Sequence, residues 1–306
     1  MFNISKLVIG NTSINFHSFS RRLLKLYIIE IFIFLIVIIL AITNVIGFNL
    51  SIDFTGGTLY EVENINSKNS DVISEFSNEL QLSVTRYESI NDGDYYRFRT
   101  VEGSIEDENI VLAQISNFFG TPKSEIDFQR VGPTFGTEIS NQGIRALLIF
   151  ISFIATIISF RYQFKFALIA ILALIHDLLM CVSIYILTGI EVTPATIIAI
   201  LTVLGYSLYD TVVIFDKIKD NSAKIKESKI SSSVMNLTFN EVLMRSINTS
   251  ITSIIPVASL ILVGNYLGLQ GALTDFAIPL LIGMLSGTYS SIFVTAPFIS
   301  KLLTNK

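Results

Sequence analysis

The apolar run "GYSLYDTVVIF" (205–215) holds a carboxylate, Asp210, where its neighbours argue for a membrane-spanning helix. Arg245 lies in "NEVLMRSINTS" (240–250), and the pair His176 and Asp177 interrupts "LALIHDLLM" (172–180). An acid at the centre of a bilayer costs about 2.5–3.5 kcal/mol on insertion scales, so it must face a polar cavity, meet a partner or hold a proton. A nearby cation favours the carboxylate and burial favours the neutral acid; a carboxyl group held between these pulls can exchange protons. Asp210 with Arg245 is therefore the candidate proton-exchange site, and His176 with Asp177 the candidate support for a polar path. Tyr206 shares the face of Asp210 one turn earlier, and Ser207, Tyr209 and Thr211 lie beside it. The residues alone leave a static alternative open. Asp210 then only packs, Arg245 pairs with Glu241 or reaches lipid headgroups, and His176 with Asp177 makes a helix–helix hydrogen bond. Glu30 is expected to snorkel to the basic flank of the first apolar stretch.

Those residues need helices in a membrane to hold them, and the composition supplies them. Of 306 residues 51% are hydrophobic and 15% charged, which indicates a polytopic membrane protein. Six stretches reach the roughly 20 apolar residues that a bilayer core requires: 23–48, 144–160, 166–188, 194–216, 242–263 and 274–299. The first is too long for a cleaved leader and reads as an anchor. Lys6, Arg21, Arg22 and Lys25 precede it; Arg161 and Lys165 follow the second stretch; Lys217, Lys219, Lys224, Lys226 and Lys229 follow the fourth; Lys301 and Lys306 follow the last. The alternate loops "TGIEVT" and "VGNYLGLQGALT" carry no Lys or Arg, so both termini (1–22 and 301–306) and the loop 217–241 are expected in the cytosol. Asp210 then lies about 9 Å inside the cytosolic end of its helix. The five later helices form a bundle over 143–300. Within it, Gly283 and Gly287 in "GMLSG" make a small-xxx-small packing face.

The segment 49–142 is expected outside. Its 16 Asp and Glu against six Lys and Arg do not oppose this, because long loops translocate largely regardless of charge. Its pattern reads β-α-β-β-α-β: strands in "GGTLYEVENI", "SVTRYESI", "YYRFRTV" and "IDFQRV", helices in "SDVISEFSNEL" and "IEDENIVLAQISNFFG", and a hairpin turn at "NDGD". The expected fold class is a six-helix membrane protein with an inserted ferredoxin-like α+β domain. The only cysteine, Cys181, falls in the third apolar stretch, so no intrachain disulfide supports that domain. Asp53, Gly56 and Gly57 in "DFTGGT" form a turn in which paired glycines permit a tight bend or close backbone approach. No phosphate loop, Cys/His metal cluster or nucleophilic triad is present, so the chain is expected to be no enzyme and to need no metal or cofactor.

Taken together, "IDFTGGTLYEV", "RVGPTFGTEI", "IHDLLM", "GYSLYDTVVIFDKIKDN" and "LMRSINTSITSIIP" resemble, in order and spacing, the SecF family of bacterial protein-export membrane subunits. The resemblance covers nearly the whole chain. It implies a fold of the proton-driven RND transporter type in the bacterial cytoplasmic membrane. It implies a SecD partner, the SecYEG channel and translocating preproteins as associates besides membrane lipids, no nucleic acid, and the proton gradient as energy source. In that family the fourth-helix Asp and fifth-helix Arg are implicated in proton coupling, which maps to Asp210 and Arg245. Two positions depart from the pattern: Tyr209 stands where the family commonly has Asn, and Lys217 where it commonly has Arg. Other classes the sequence allows are a passive assembly scaffold without proton chemistry and an RND-like small-molecule efflux subunit. The absence of a SecD-like half suggests an exposed apolar face for a mate, with the Gly283–Gly287 groove as one contact.

Overall fold

The structure, a computed structural model, describes residues 14–64, 70–90, 93–225, 230–266 and 272–303. Lys6, Asn91, Asp92, Lys226, Lys229 and Lys306, used above to read topology and the hairpin turn, lie outside the described residues. In chain order the elements are α1 (Phe16–Ile42), a single helical turn (Ile52–Thr55), β1 (Gly57–Glu63), α2 (Ser70–Glu79), β2 (Val84–Ile90), β3 (Tyr95–Thr100), α3 (Ile105–Phe119) and β4 (Asp127–Val131). There follow α4 (Pro133–Arg161), α5 (Phe164–Thr188), α6 (Pro194–Ile225), α7 (Ser232–Tyr266), α8 (Ala272–Tyr289) and α9 (Thr295–Leu302), the last two joined by a π-helical turn, Ser290–Val294. The chain divides into two units, Leu50–Arg145 and the pair of segments Met1–Asn49 and Ala146–Lys306.

In the smaller unit the four strands form one antiparallel sheet in the order β2-β3-β1-β4. With the chain order β-α-β-β-α-β this is the ferredoxin-like arrangement expected from the sequence. Alternation along β1 buries Thr58, Tyr60 and Val62 and turns Leu59, Glu61 and Glu63 outward. Tyr60 pairs with Phe98 across β1 and β3, and α2 and α3 cover them with Ile73, Val111, Ile115 and Phe119. Each such side chain contributes about 1.5–3 kcal/mol on burial, which explains how the unit is held without a disulfide. Burial, with the Glu108 carboxylate adding to it, pushes the Tyr60 phenol up to about 12, so it stays protonated.

Helix α3 starts in a capping box. Ser104 Oγ accepts from the Asp107 N–H at 3.1 Å, and Asp107 Oδ2 accepts from the Ser104 N–H at 3.2 Å. The Ser104 hydroxyl, which donates to Asp107 Oδ2 at 2.7 Å, and then the Ser104 N–H hold the exposed Asp107 carboxyl below its ordinary value. The stability they add is present above the ordinary aspartate range and is lost as pH falls through the lowered value. Ser104→Ala is expected to cost ~1 kcal/mol locally, read as roughly fivefold faster amide exchange at Asp107 in the full chain.

The "DFTGGT" stretch forms the single helical turn and the start of β1. Ser51 Oγ donates to Asp53 Oδ2 at 3.0 Å, and the Gly56 N–H closes the turn on the Ile52 carbonyl at 2.8 Å. Gly56 has φ +73° and Gly57 φ +122°. A Cβ on Gly57 would stand 2.3 Å from the Thr100 carbonyl oxygen. Both a left-handed backbone and a close approach therefore require glycine at position 57.

Among the described residues six helices are long and apolar enough to cross a membrane: α1, α4, α5, α6, α7 and the α8–α9 run. Several ends differ from the hydropathy reading, because caps rather than apolarity stop a helix. Helix α1 runs Phe16–Ile42, not 23–48. Asn15 caps its start by accepting from the Ser18 N–H, and Asn44, at φ +57°, stands just beyond its end, although the sequence stays apolar beyond it. Helix α4 begins at Pro133, where a proline suits the first helical position. Most of the expected loop 217–241 is helix. Helix α6 continues to Ile225 and α7 starts at Ser232, tied together by Asn221 Nδ2 donating to Thr238 Oγ1 (3.1 Å) and Glu241 Oε2 (3.0 Å) and by a Lys217–Glu241 pair at 3.2 Å. The last helix ends at Leu302.

Two asparagines one turn apart on α7 hold the chain ahead of α1 by its backbone. Asn240 accepts from the Ile14 N–H and donates to the Ile14 carbonyl, both at 2.8 Å, while Asn236 accepts from the His17 N–H at 2.9 Å. Gly283 and Gly287 on α8 face α6. Added Cβ atoms would lie 2.2 Å from Val203 Cγ1 and 2.7 Å from Ser207 Cβ. The groove expected to take a partner is thus filled by α6 of the same chain, because its small residues let the two helices approach closely.

Candidate functional site

Asp210 points from α6 toward α7 and is buried, 5% exposed. Its carboxylate Oδ2 accepts a short hydrogen bond from Ser246 Oγ. Arg245, the neighbour of that serine, is exposed and donates from Nη2 to the Tyr209 hydroxyl at 3.2 Å. Among the described residues Arg245 forms no ion pair with Asp210 or with Glu241, whose carboxylate is occupied by Lys217 and Asn221. Successive residues on each helix explain this: 209 and 210, like 245 and 246, differ by about 100° around the axis, so one pair turns inward and the other outward. Tyr209 is thus the residue that engages the arginine. The Tyr206 hydroxyl reaches Ser250 Oγ at 3.5 Å, Ser250 meets Thr288 at 2.5 Å, and Thr211 bonds back to the Ser207 carbonyl at 3.4 Å.

His176 and Asp177 belong to a separate cluster, both fully buried. Asp177 Oδ2 accepts from Ser207 Oγ (2.5 Å) and Ser290 Oγ (2.8 Å), and Oδ1 from Ser286 Oγ (2.6 Å). His176 Nδ1 lies 3.3 Å from Asp177 Oδ1, and its Nε2 lies 3.3 Å from Glu30 Oε2. Glu30 does not snorkel. It accepts from the Tyr289 hydroxyl at 2.6 Å, because α1 lays it against α5 and α8, where buried polar partners are in reach.

Sequence reasoning passed over Ser246, Ser286, Ser290 and Tyr289, and placed Ser207 beside Asp210 and not on Asp177. The available signals were spacing alone: Ser246 adjoins Arg245, Ser207 precedes Asp210 by three residues, and Ser286 and Ser290 share a helix face. Among the described residues no group of three or more His, Cys, Asp or Glu is arranged to hold a metal ion.

Residues 111–305 match the family described as "Protein export membrane protein SecD/SecF, C-terminal", and residues 44–63, which include Gly56 and Gly57, match the "SecD/SecF GG Motif". The chain belongs to the SecD/SecF family. Within this family it is 32% identical over 272 residues to the protein translocase subunit SecF of Streptomyces coelicolor, covering 87% of this chain and 73% of that one. To SecF of Mycobacterium tuberculosis it is 41% identical over 182 residues, 59% of this chain and 41% of the relative. The crystal structure of SecDF from Thermus thermophilus superposes with a TM-score of 0.78 at 26% identity, covering 95% of this chain and 38% of that one. The SecD/SecF membership, the six apolar helices and the small antiparallel sheet agree on an RND-type membrane protein.

Proposed function

We propose that this chain is a SecF-type accessory subunit of the Sec protein translocase that uses the proton gradient to assist preprotein export. It works with a SecD-type partner beside the SecYEG channel, in the cytoplasmic membrane, with both termini cytosolic and the unit Leu50–Arg145 outside. The names of the SecF and SecDF relatives support the translocase role, and SecDF, of which this chain spans 38%, supports a SecD-type mate. The distribution of Lys and Arg supports the orientation. Relatives are named as translocase subunits, so the reading is of a coupling subunit and not an enzyme.

The observation that carries proton coupling is Asp210: a buried carboxyl with, among the described residues, a single hydroxyl donor and no ion pair, one residue position away from an arginine-bearing contact. Such a group can gain and lose a proton without breaking a salt bridge. Its charge then biases the packing of α6 against α7. The test is export in cells depleted of their own SecF, with and without an uncoupler. The intact chain is expected to stimulate export only while the gradient stands. Stimulation that persists after uncoupling would leave the chain a scaffold.

A further inference from the structure

We propose that Glu30, His176 and Asp177 form a second proton-exchange site, in which the imidazole passes a proton between a carboxyl group at the bundle edge and one sealed inside it. The site stands apart from Asp210 and does not depend on it.

The geometry is that of a relay. Each ring nitrogen of His176 faces a different carboxylate at 3.3 Å, one from α1 and one from its own helix. The side chain of Glu30 is 23% exposed, while those of His176 and Asp177 are 0% exposed, so the series has a reachable end and a sealed end. Two hydrogen bonds through one imidazole require two protons. Either the ring carries both between two carboxylates, or a neutral ring donates to one while the other carboxyl group donates to it. These arrangements have the same net charge and differ only in where one proton resides. In the transfer, the Glu30 Oε2–H bond breaks as His176 Nε2–H forms, and Nδ1–H breaks as Asp177 Oδ1–H forms. The ring ends as the opposite tautomer, and no electron changes hands.

The surroundings suit this role. Tyr27 and Phe34 on α1 and Tyr289 on α8 wall the imidazole, with ring centroids at 5.9, 5.5 and 5.7 Å. The titratable neighbours are Tyr27 on α1, Cys181 one turn along α5 and Tyr289 on α8. Among the described residues no Lys or Arg pairs with Glu30 or Asp177 to pin either charge. The sealed end also converts a proton into a mechanical change. Asp177 has four partners, His176 and the hydroxyls of Ser207, Ser286 and Ser290, which fill the acceptor sites of an ionised carboxylate. Once protonated it donates through Oδ1 to His176 Nδ1, and the three hydroxyls then donate to a neutral acid, which accepts more weakly than a carboxylate. Those hydroxyls lie on α6, α8 and the π turn, so the proton alters what binds α5 to both helices.

The chain has two histidines, His17 and His176, so His17→Asn leaves one reporter. The experiment is 15N-histidine magnetic resonance of the full-length His17→Asn chain in lipid nanodiscs, from about pH 5 to about pH 8. The His176 ring signals are expected to shift with pH, with a midpoint that moves in Glu30→Gln and in Asp177→Asn and stays put in Asp210→Asn. Ring signals that ignore pH, or a midpoint unchanged in Glu30→Gln, would overturn the proposal. If Asp177→Asn fails to assemble, Glu30→Gln decides, since its site is partly exposed and the substitution keeps its shape. Loss or survival of export in Asp210→Asn bears on the function proposed above and leaves this result untouched.

Discussion

Asp210→Asn is expected to reduce gradient-driven stimulation of export to the level of cells lacking the chain, while membrane abundance and association with the SecD-type partner persist. The substitution preserves shape, and the Asn carbonyl oxygen still accepts from Ser246, so the contact between α6 and α7 survives. What disappears is titration. Moving one charge through about 100 mV is worth ~2.3 kcal/mol, a factor of roughly 50 in a two-state equilibrium, which bounds the loss per proton. Ser246→Ala separates this from packing. It removes a hydrogen bond, at about 1–3 kcal/mol for the oxygen left without a partner, but keeps the titratable group. Its stimulation should fall only in part and still collapse with an uncoupler. Equal, mild losses in both variants would assign Asp210 to packing.

The second large effect is expected at Gly57. Gly57→Ala must adopt φ near +122°, a conformation nearly restricted to glycine, and bring its Cβ to 2.3 Å from the Thr100 carbonyl oxygen. Backbone strain costs about 1–3 kcal/mol, and the contact atom is backbone of β3, which cannot rotate aside as a side chain could. A total of ~3 kcal/mol or more is a large fraction of the about 5–15 kcal/mol that holds a unit of this size. The measurement is limited proteolysis of the full chain in membranes. Cleavage within 50–145 should accelerate strongly while the bundle remains resistant. Gly132→Ala, where an added Cβ meets nothing within 4 Å, is the matched control and should behave as the parent.

The parts of this chain legible from sequence were those set by long periodic patterns. Six apolar runs gave six helices, and alternation in "TLYEV" and "YYRFR" gave paired strands whose inward residues, Tyr60 and Phe98, meet in the core. Helix ends were less legible because they depend on single caps, such as Asn15 and Asn44, which hydropathy does not weigh. The burial of Asp210 was readable from its neighbours. The direction of Arg245 was not, since one residue step decides whether it or Ser246 faces Asp210. Glu30 was misjudged for a related reason: its partners, His176 and Tyr289, are 146 and 259 residues away, and nothing in a linear pattern says which helices adjoin. Ser207 was legible only as a neighbour of Asp210, Ser286 and Ser290 carried no signal of their own, and the convergence of all three on Asp177 is visible only in the fold.

The asparagine grip on the start of α1 carries a consequence for how this region can evolve. Asn240 and Asn236 grip residues 14 and 17 through their main-chain groups, while Asn236 Nδ2 also donates to the Asn15 side-chain oxygen at 3.0 Å, so the clamp reads a side chain at position 15 but not at 14 or 17. Substitution at those two places can drift freely as far as the clamp is concerned, with one exception: proline, which brings no N–H to offer. Constancy is required instead more than two hundred residues downstream, at two amides whose importance the held segment itself does not reveal.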